Sequence, residues 1–475
     1  MMITTRSTKA TFGVAFALLA NHADAFWRLP CSSPVVVERA DPIVYPGAIA
    51  PHLHTVMGSN AFNFTMDYED TQTATCSTCQ AVEDLSNYWV PSLFYHAENG
   101  TFIPVPQSGG ALIYYLQRSD PNDPLASEGL KAFPEGLRFL AGNPTLRNYT
   151  DTLEQQAVSF VCLGAPGGAT SSLPTQNCPN GMRAQLTMPS CWDGVNLDSP
   201  DHKSHMAYPS MLDNGVCPSS HPHRFITIFY EVTWSVDTFK DEWYGSGQPF
   251  VFSTGDPTGY GYHGDFVNGW DVATLQKAIN ECTDDSGDIQ DCAAFTLRED
   301  DDMASCKTLA RVDEPTSGIL ATLPGCNPIQ PGPAPAVQQA GCGAPTEIGD
   351  PILPFTDVTN TLGWRWVACA KDPAGQSRTL DGSTSLDQAN MTVEYCINTC
   401  RDAGFSYAGV EYWTQCFCGN TLADDRLPTN GTIGDCSLPC AGNSTELCGG
   451  VARVGVYTQC DSASDCTNGG LPLSF

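Results

Sequence analysis

The chain has few basic side chains and no long apolar run. Its 22 lysines and arginines are outnumbered by 52 aspartates and glutamates, which gives the 475 residues a formal net charge of −30. Most of such a surface repels nucleic acid and anionic membranes, so neither is expected as a partner. The apolar run at residues 12–20 is well short of the roughly 20 residues that cross a bilayer, and no later segment approaches that length. Membrane insertion is therefore not expected.

Several catalytic motifs are also missing. A Gly-x-Ser-x-Gly elbow does not occur beyond a fragment at residues 245–247, so a Ser-His-Asp hydrolase is poorly supported. The glycines at residues 259–261 lack the lysine and the helix of a phosphate-binding loop. A copper site of the histidine-brace kind needs histidine as the first mature residue, and the expected first residue is Phe26.

The N-terminal residues predict secretion. Arg6 and Lys9 precede the short apolar run, and a small-x-small cleavage pattern ends at Ala25, so residues 1–25 are predicted to be a signal peptide. The even number of cysteines, 22, fits complete disulfide pairing in an oxidising compartment. Sequons for N-glycosylation occur at Asn63, Asn99, Asn148, Asn390, Asn430 and Asn443. We expect a secreted glycoprotein that is extracellular or associated with the cell wall.

Composition divides the chain into two domains. A proline-rich linker at residues 327–360, expected to be extended and without a core of its own, follows a β-rich domain at residues 26–326. A cysteine-rich domain at residues 361–460 and a tail at residues 461–475 complete the chain.

The N-terminal domain is predicted to be an antiparallel β-sandwich with long loops. Runs of β-branched and aromatic residues at 111–116, 225–234 and 249–252 lie between turn residues, which is typical of strands. Apolar residues recur at helical spacing at 271–282, so a helix is predicted there. The fold class is mainly β, with a small disulfide-rich α+β domain after the linker.

Polar and aromatic residues are densest between the glycines at residues 259–271. This stretch contains His263, Asp265, Asn268 and Trp270. Because glycines at this density favour tight turns, we expect neither a regular helix nor a buried strand, but a loop that displays polar side chains. The stretch is predicted to belong to a functional site.

Two histidine pairs have i, i+2 spacing, His52 with His54 and His221 with His223. In an extended chain both rings of such a pair lie on one face, as binding of a metal or a sugar requires. Such pairs recur in metal sites of β-barrels, where a third histidine and a carboxylate complete the ligand set. His263 and the aspartate two residues after it are candidates for these roles.

Three interpretations of the histidine segments stay open: a divalent metal site at the histidine pairs, a metal-free acid/base site, and polar loops with a structural role. An acid/base site needs a carboxylate or imidazole within hydrogen-bond reach of a glycosidic oxygen or an acidic C–H group. The catalytic candidates are His263, Asp265, His54, His52, Asp193 and His205.

Several motifs of the N-terminal domain together resemble a known family. They are the first histidine pair and residues 26–31, 39–43, 191–194, 202–209 and 260–271. The family is fungal, secreted, catalogued only as a domain of unknown function and often found with WSC domains. The resemblance covers roughly residue 26 to the middle 300s. It implies no activity, but it implies that these motifs occur together, which favours their convergence on one site.

Eight cysteines concentrate in the C-terminal domain, at positions 369, 396, 400, 416, 418, 436, 440 and 448. A domain this small needs disulfides to supplement its limited core, each contributing about 2 to 4 kcal/mol. Their pairing cannot be deduced, because eight cysteines allow 105 connectivities. Residues 392–403 are predicted to form one helix, which Gly404 ends. Cys460 and Cys466 are expected to pair with each other.

The spacing of these eight cysteines, with the aromatic and glycine residues between them, resembles the WSC domain. The resemblance implies a small disulfide-bonded α+β module that binds cell-wall glycans such as β-glucan, chitin or xylan. Trp413 departs from the family pattern, in which glycine is usual at this position.

Aromatic side chains in this domain are candidates for sugar contacts. Sugar rings present apolar C–H faces that stack on aromatic planes, while their hydroxyls bind amides and carboxylates. The carbohydrate-binding candidates are Trp413, Tyr412, Glu411, Tyr407 and Asn420. Of these, Trp413 is the best candidate, and Tyr407 is expected to belong to the core.

The sequence thus supports two classes of function. In the first, a secreted fungal protein binds cell-wall polysaccharide through its WSC domain, and its N-terminal domain is a glycoside hydrolase or polysaccharide lyase. In the second, the protein is a non-catalytic wall-binding or adhesive protein. A metal-binding histidine site is the third hypothesis.

Overall fold

The computed structural model describes residues 25–337, 343–373, 375–382, 386–429, 431–462 and 466–471. The predicted signal peptide lies outside these ranges, except for Ala25. Within the described ranges, no helix has both the length and the apolar character that crossing a membrane requires.

Short strands dominate the N-terminal domain. They are β1 (Phe26–Cys31), β2 (Val36–Glu38), β3 (His54–Gly58), β4 (Asn87–Pro91), β5 (Leu93–His96), β6 (Phe102–Pro104), β7 (Gln107–Leu116), β8 (Arg138–Gly142), β9 (Val158–Cys162), β10 (Met182–Thr187), β11 (Cys191–Trp192), β12 (Met206–Ala207), β13 (His223–Arg224), β14 (Thr227–Trp234), β15 (Phe250–Phe252) and β16 (His263–Val267). The helices are α1 (Tyr68–Thr71), α2 (Leu153–Gln156), α3 (Val272–Glu281) and α4 (Asp300–Ser305). Strands therefore form at the three predicted runs, and α3 is the predicted helix.

Two five-stranded antiparallel sheets form a sandwich. The first has the order β1-β7-β14-β10-β9 and the second β2-β3-β4-β16-β8. Their inner faces share one hydrophobic core, in which the hydroxyls of Tyr88 and Tyr115 lie 2.7 Å apart. The Tyr230 hydroxyl of the first sheet donates to the Asp265 carbonyl of the second at 2.9 Å. The predicted antiparallel sandwich is confirmed.

The expectation for residues 259–271 is wrong in part. Residues 263–267 form β16, which is buried along its whole length and pairs with β4 and β8. Glycine density misled the prediction, because Gly264 does not make a turn. Instead it lets the strand approach the other sheet: a Cβ atom there would lie 2.7 Å from Leu186 Cδ2. The turn forms before the strand, at Gly259, where φ is +89°.

The proline-rich linker follows the surface of the N-terminal domain. The Gln330 amide donates to the Gly255 carbonyl at 2.9 Å, and the Ala336 amide donates to the Thr145 carbonyl at 2.7 Å. Arg147 Nε donates to the Gln330 carbonyl at 2.8 Å. These bonds hold the linker against the loops that follow β8 and β15.

The C-terminal domain is a small α+β unit. Its elements are α5 (Thr359–Leu362), β17 (Trp364–Lys371), β18 (Leu386–Asp387), α6 (Val393–Asp402), β19 (Tyr407–Glu411), β20 (Gln415–Gly419) and β21 (Arg453–Gln459). The sheet has the order β17-β21-β19-β20-β18. The predicted helix is α6, whose first turn is capped by the Thr392 side chain accepting from the Tyr395 amide.

Ten disulfides join pairs of described cysteines. In the N-terminal domain they are Cys31–Cys79, Cys76–Cys306, Cys162–Cys178, Cys191–Cys217 and Cys282–Cys292. In the C-terminal domain and tail they are Cys369–Cys436, Cys396–Cys416, Cys400–Cys418, Cys440–Cys448 and Cys460–Cys466. Two of them tie α6 to β20, and the predicted pairing of Cys460 with Cys466 is confirmed.

The two domains dock through α4 and the residues after it. Lys371 Nζ lies 3.2 Å from a carboxylate oxygen of Asp301, and the Gly434 amide donates to the Ser305 carbonyl at 3.0 Å. Further contacts are Lys307 with Asp435 at 3.2 Å and Thr429 with Asp302 at 2.6 Å. These contacts are polar and the ion pairs among them are partly exposed, so we expect them to weaken with salt.

Candidate functional site

The outer face of β16 carries the polar residues of the central motif. Because side chains alternate along a strand, Gly264 and Phe266 face the sandwich core while His263 and Asp265 face the opposite side. That side is covered by the segment that connects β2 to β3 and by the linker. The covering keeps the exposed fraction of His263 at 4% and that of Asp265 at 1%.

Three histidine rings meet under this cover. His54 begins β3, His52 lies two residues before it, and His263 begins β16. The ring centroids of His52 and His54 are 4.3 Å apart, and those of His52 and His263 are 5.0 Å apart. The Nε2 atoms of His52 and His263 are separated by 3.0 Å. Three of the candidate histidines therefore lie together.

Backbone carbonyls orient two of the three rings. His54 Nδ1 lies 3.0 Å from the Ala40 carbonyl, and His263 Nδ1 lies 2.9 Å from the Gly261 carbonyl. A carbonyl only accepts, so each Nδ1 carries the proton and donates it. In the neutral ring the lone pair is then on Nε2. The Nε2 of His54 is buried without a hydrogen-bond partner.

Burial keeps the rings neutral. Burial lowers the pKa of His263 to about 3, with a further contribution from nearby His54. Burial also lowers the pKa of His54 to about 4 and that of His52 well below its ordinary value. At neutral pH all three imidazoles are uncharged, so their lone pairs are available to accept a proton or bind a metal.

Two carboxyl groups lie beside the histidines. Burial raises the pKa of Asp265 well above its ordinary value, and the charge of Asp41 adds to the shift. Burial also raises the pKa of Asp41, whose Oδ1 accepts the amides of Ile43 and Val44 at 3.0 Å. The Asp265 Oδ2 atom is buried without a partner. A proton or a cation would satisfy it.

His52, His263 and the two carboxyl groups line a cavity of about 560 Å³, a volume typical of small-molecule sites. The polar lining includes Asp41, His52, His202, Lys203, His263 and Asp265. The linker contributes Gln330 and Val337 to the wall. The linker is therefore part of the site.

Two of the sequence candidates lie elsewhere. His205 is buried by itself, with Nε2 2.9 Å from the Arg138 carbonyl and Nδ1 2.8 Å from the Ser199 hydroxyl. Asp193 stabilises a turn by accepting the amides of Val195 and Asn196. Neither belongs to the cavity lining. Both are held by hydrogen bonds away from the histidine cluster.

The second histidine pair does not converge. His221 Nε2 is 3.0 Å from the Ser204 carbonyl, whereas His223 lies against Trp192 with ring centroids 5.8 Å apart. The i, i+2 spacing therefore forms a cluster only where a third histidine reaches the same face.

Sequence reasoning did not select several polar cavity residues, among them Asp41 and Lys203. Asp41 was visible only as part of the motif at residues 39–43, and Lys203 lay between the histidines of residues 202–205. The ammonium group of Lys203 donates to the Gly142 carbonyl and pairs with Glu154 at 2.6 Å. The sequence feature that could have identified Asp41 and Lys203 is that both belong to motifs that occur together.

A second surface lies at the tip of the hairpin formed by β19 and β20. Tyr412 is 42% exposed, and its ring centroid is 4.0 Å from that of Trp413. Both residues have positive φ angles, 48° and 65°. Bulky residues rarely adopt this conformation, and when they do the position is often functional.

Comparison with known families assigns both domains. Residues 366–450 match the model of the WSC domain. The C-terminal domain is a WSC domain. Residues 41–270 match the model of a domain of unknown function, DUF1996. The WSC match includes the exposed hairpin, and the DUF1996 match includes all three clustered histidines.

Curated relatives match over limited regions. A Chaetomium globosum protein described as "Putative fungistatic metabolite" is 31% identical over 138 residues, 27% of this chain and 60% of its own length. A "WSC domain-containing protein" of Arthroderma benhamiae is 38% identical over 111 residues, 23% of this chain and 12% of its own. Human "Kremen protein 2" is 37% identical over 94 residues, 19% of each chain. The chain thus covers less than two thirds of each of these relatives.

The WSC domain presents its candidate glycan contacts unequally. Glu411 is 3% exposed, and its carboxylate is 2.9 Å from Arg378. Tyr407 is half-buried and packs beside the core rather than within it. Asn420 is exposed, but its Oδ1 accepts the Ser406 amide at 3.0 Å. Of the five candidates, the hairpin aromatics are thus the side chains best placed to meet a sugar.

The conformation of Trp413 explains why glycine is usual at this position in WSC domains. Glycine adopts positive φ without steric cost, whereas tryptophan does not. This chain has the strained backbone together with a large aromatic ring. We infer that the ring has a use that offsets the strain.

Proposed function

We propose that this chain is a secreted fungal protein that attaches to cell-wall polysaccharide through its WSC domain. The observation that carries the proposal is the aromatic pair at the hairpin tip of that domain, in which Tyr412 is exposed and Trp413 is half-buried. Two adjacent rings offer flat apolar surfaces on which the C–H faces of a sugar stack. The disulfides are consistent with an extracellular location.

A depletion assay with insoluble polysaccharides tests the attachment. The full-length protein is mixed with β-glucan, chitin or xylan, and the unbound fraction is measured. We expect retention on at least one polymer and its loss in Trp413→Ala. Tyr395→Ala is the matched control, because Tyr395 is a 37% exposed aromatic residue of α6, remote in sequence from the hairpin. Equal retention of wild type and Trp413→Ala would contradict the proposal.

A second candidate function concerns the histidine cavity. We propose that it acts on a glycan as a hydrolase or a lyase, held near its substrate by the WSC domain. The specific observation is that three carboxyl groups and three imidazoles line one cavity of about 560 Å³. Acid/base cleavage of a glycosidic bond uses such groups side by side.

Product release from a polysaccharide panel tests this second function. New reducing ends indicate hydrolysis, and unsaturated products indicate elimination. We expect activity to be lost in Asp265→Asn and kept in Asp193→Asn, since Asp193 lies outside the cavity lining. If the wild type binds a polymer but releases nothing, the protein is a non-catalytic wall-binding protein. Equal loss in both variants would argue against the cavity as the site.

A further inference from the structure

The histidine cluster is incomplete as a hydrogen-bonded structure. An unsatisfied buried polar atom costs about 1 to 3 kcal/mol, so a ligand that satisfied it would be stabilising. His54 is fully buried, yet its Nε2 has no partner. The Oδ2 atom of Asp265, two residues from His263, is buried and also lacks one. The His54 ring lies 5.9 Å from that of His263, measured between centroids.

The hydrogen bonds of His54 and His263 leave the lone pair of each ring on Nε2. His54 and His263 each donate Nδ1–H to a backbone carbonyl, at 3.0 and 2.9 Å. This arrangement is typical of metal-binding histidines, since the outer hydrogen bond selects the tautomer and holds the ring. The Nε2 of His52 faces the bare Nε2 of His263 at 3.0 Å, so His52 donates there. Binding of an ion would require only that His52 move this proton to Nδ1 or release it.

The distances suit a single ion. A tetrahedral ion with metal–nitrogen bonds of about 2.0 Å places two ligand nitrogens roughly 3.3 Å apart. One pair of ring nitrogens is separated by 3.0 Å, and the ligand atoms of all three histidines lie within 4.8 Å of one another. Small rotations of the rings would bring the three nitrogens onto one centre.

The surroundings favour a cation with an open coordination position. Of the three rings, His52 and His263 line the cavity together with Asp41 and Asp265. These carboxyl groups compensate the charge of a divalent ion in a buried place. Three protein ligands and one side open to a cavity are typical of catalytic rather than structural metal sites.

We propose that His52, His54 and His263 bind one divalent first-row transition-metal ion, for which Zn²⁺ is the test ion. Imidazole ligands select such ions over Ca²⁺ and Mg²⁺, which prefer oxygen. The ion would be a cofactor of the DUF1996 domain. The proposal does not depend on glycan binding by the WSC domain or on activity toward a polysaccharide.

A binding measurement on the full-length chain tests this site. Protein without a polyhistidine tag is stripped with a chelator, and Zn²⁺ affinity is measured by competition with a chromophoric chelator. We expect one equivalent to bind. His54→Gln and His263→Gln should each weaken binding by at least about 100-fold, since loss of an outer-shell partner alone costs 10–100-fold. Ca²⁺ should not compete.

The second histidine pair supplies the matched control. His221→Gln combined with His223→Gln removes the same sequence pattern at a place where no third ring converges, so it should keep the full affinity. Melting curves verify folding of every variant. If a cluster variant does not fold, X-ray absorption of the Co²⁺-loaded wild type decides, and we expect three imidazole nitrogens in the first shell.

Three results would overturn the proposal: no stoichiometric Zn²⁺ in the wild type, equal affinity in the folded cluster variants, or a first shell without three imidazoles. The WSC function is separable, because the chelator-stripped protein should still be retained on the polysaccharide that the untreated protein binds. Loss of metal with retention of glycan binding, or the reverse, identifies which proposal has failed.

Discussion

Replacement of Trp413 by glycine should separate the fold of the WSC domain from its binding. The residue has a φ of 65° and is half-buried at the hairpin tip. Trp413→Gly removes both the strained conformation and the ring. Trp413→Ala removes the ring alone, so the two variants differ mainly in the backbone.

The magnitudes follow from three effects. A non-glycine residue in the left-handed region costs about 1 to 2 kcal/mol, which only the glycine variant recovers. Glycine loses roughly 0.5 to 1 kcal/mol through the entropy of the unfolded chain. Removal of a half-buried ring costs about 1 kcal/mol in both variants. Trp413→Gly should therefore be about as stable as the wild type, and Trp413→Ala less stable by about 1 kcal/mol.

Calorimetry and the depletion assay together test this reasoning. A difference of 1 kcal/mol corresponds to about 4 to 8 °C in the melting temperature of a domain of this size. Both variants should lose about 2 kcal/mol of glycan affinity, or roughly 30-fold in Kd, as for a central aromatic contact. Two results would refute the argument: an alanine variant as stable as the glycine variant, or a glycine variant that binds like the wild type.

Three further predictions concern the WSC domain, the sandwich and the interface. Burial, and then the hydrogen bond to Asp372, raise the pKa of Glu411 from 4.5 to about 8 in the folded protein. Protonated Glu411 therefore stabilises the fold: this contribution to the free energy of unfolding is complete below pH 4.5 and is lost as the pH rises toward 8. The loss amounts to about 1.4 kcal/mol per pH unit, and Glu411→Gln should abolish this dependence in melting curves between pH 5 and 8. Gly264→Val should destabilise the sandwich by about 1 to 3 kcal/mol, because the added side chain overpacks against Leu186. The same substitution should weaken Zn²⁺ binding. Equal melting temperatures of variant and wild type would contradict the close approach of the two sheets. Lys307→Glu places a second negative charge against Asp435 and should separate the domains, seen as a larger radius in small-angle scattering with unchanged melting of each domain.

More of the secondary structure than of the candidate site could be predicted from the sequence. Alternating and clustered apolar residues indicated β7, β14 and β15, helical spacing indicated α3, and the helix-ending Gly404 indicated α6, because local patterns determine local structure. The wrong expectation for β16 has a physical cause. Glycine was interpreted through its freedom to turn, whereas Gly264 is required for its lack of a side chain. That requirement comes from the opposite sheet and has no local signal.

Some candidate residues meet in the structure and others do not, because tertiary contacts, which have no local signal in the sequence, decide which side chains are neighbours. His52, His54 and His263 meet, while His205 bonds to a backbone carbonyl elsewhere. Sequence spacing places two side chains on one face of a strand, but it does not determine which strands are neighbours. Asp41 was missed because it lies in a turn, and its position in the cavity depends on how that turn folds over the sheet.

Strand register explains why the first histidine pair forms a cluster and the second does not. His54 pairs with Pro91 of β4, and Asp265 pairs with Trp89 of the same strand. Because β16 runs antiparallel to β4, His263 lies at the level of Pro91, so His54 and His263 are in one row across three strands. Strands are spaced by about 4.8 Å, and only a short proline ring lies between the two imidazoles. The rings can therefore lean together to a centroid distance of 5.9 Å. His221 and His223 have no such row, since β13 is an edge strand of a three-stranded sheet. A longer side chain at position 91 should thus push the two imidazoles apart, and Pro91→Leu should lower Zn²⁺ affinity even though every proposed ligand is retained.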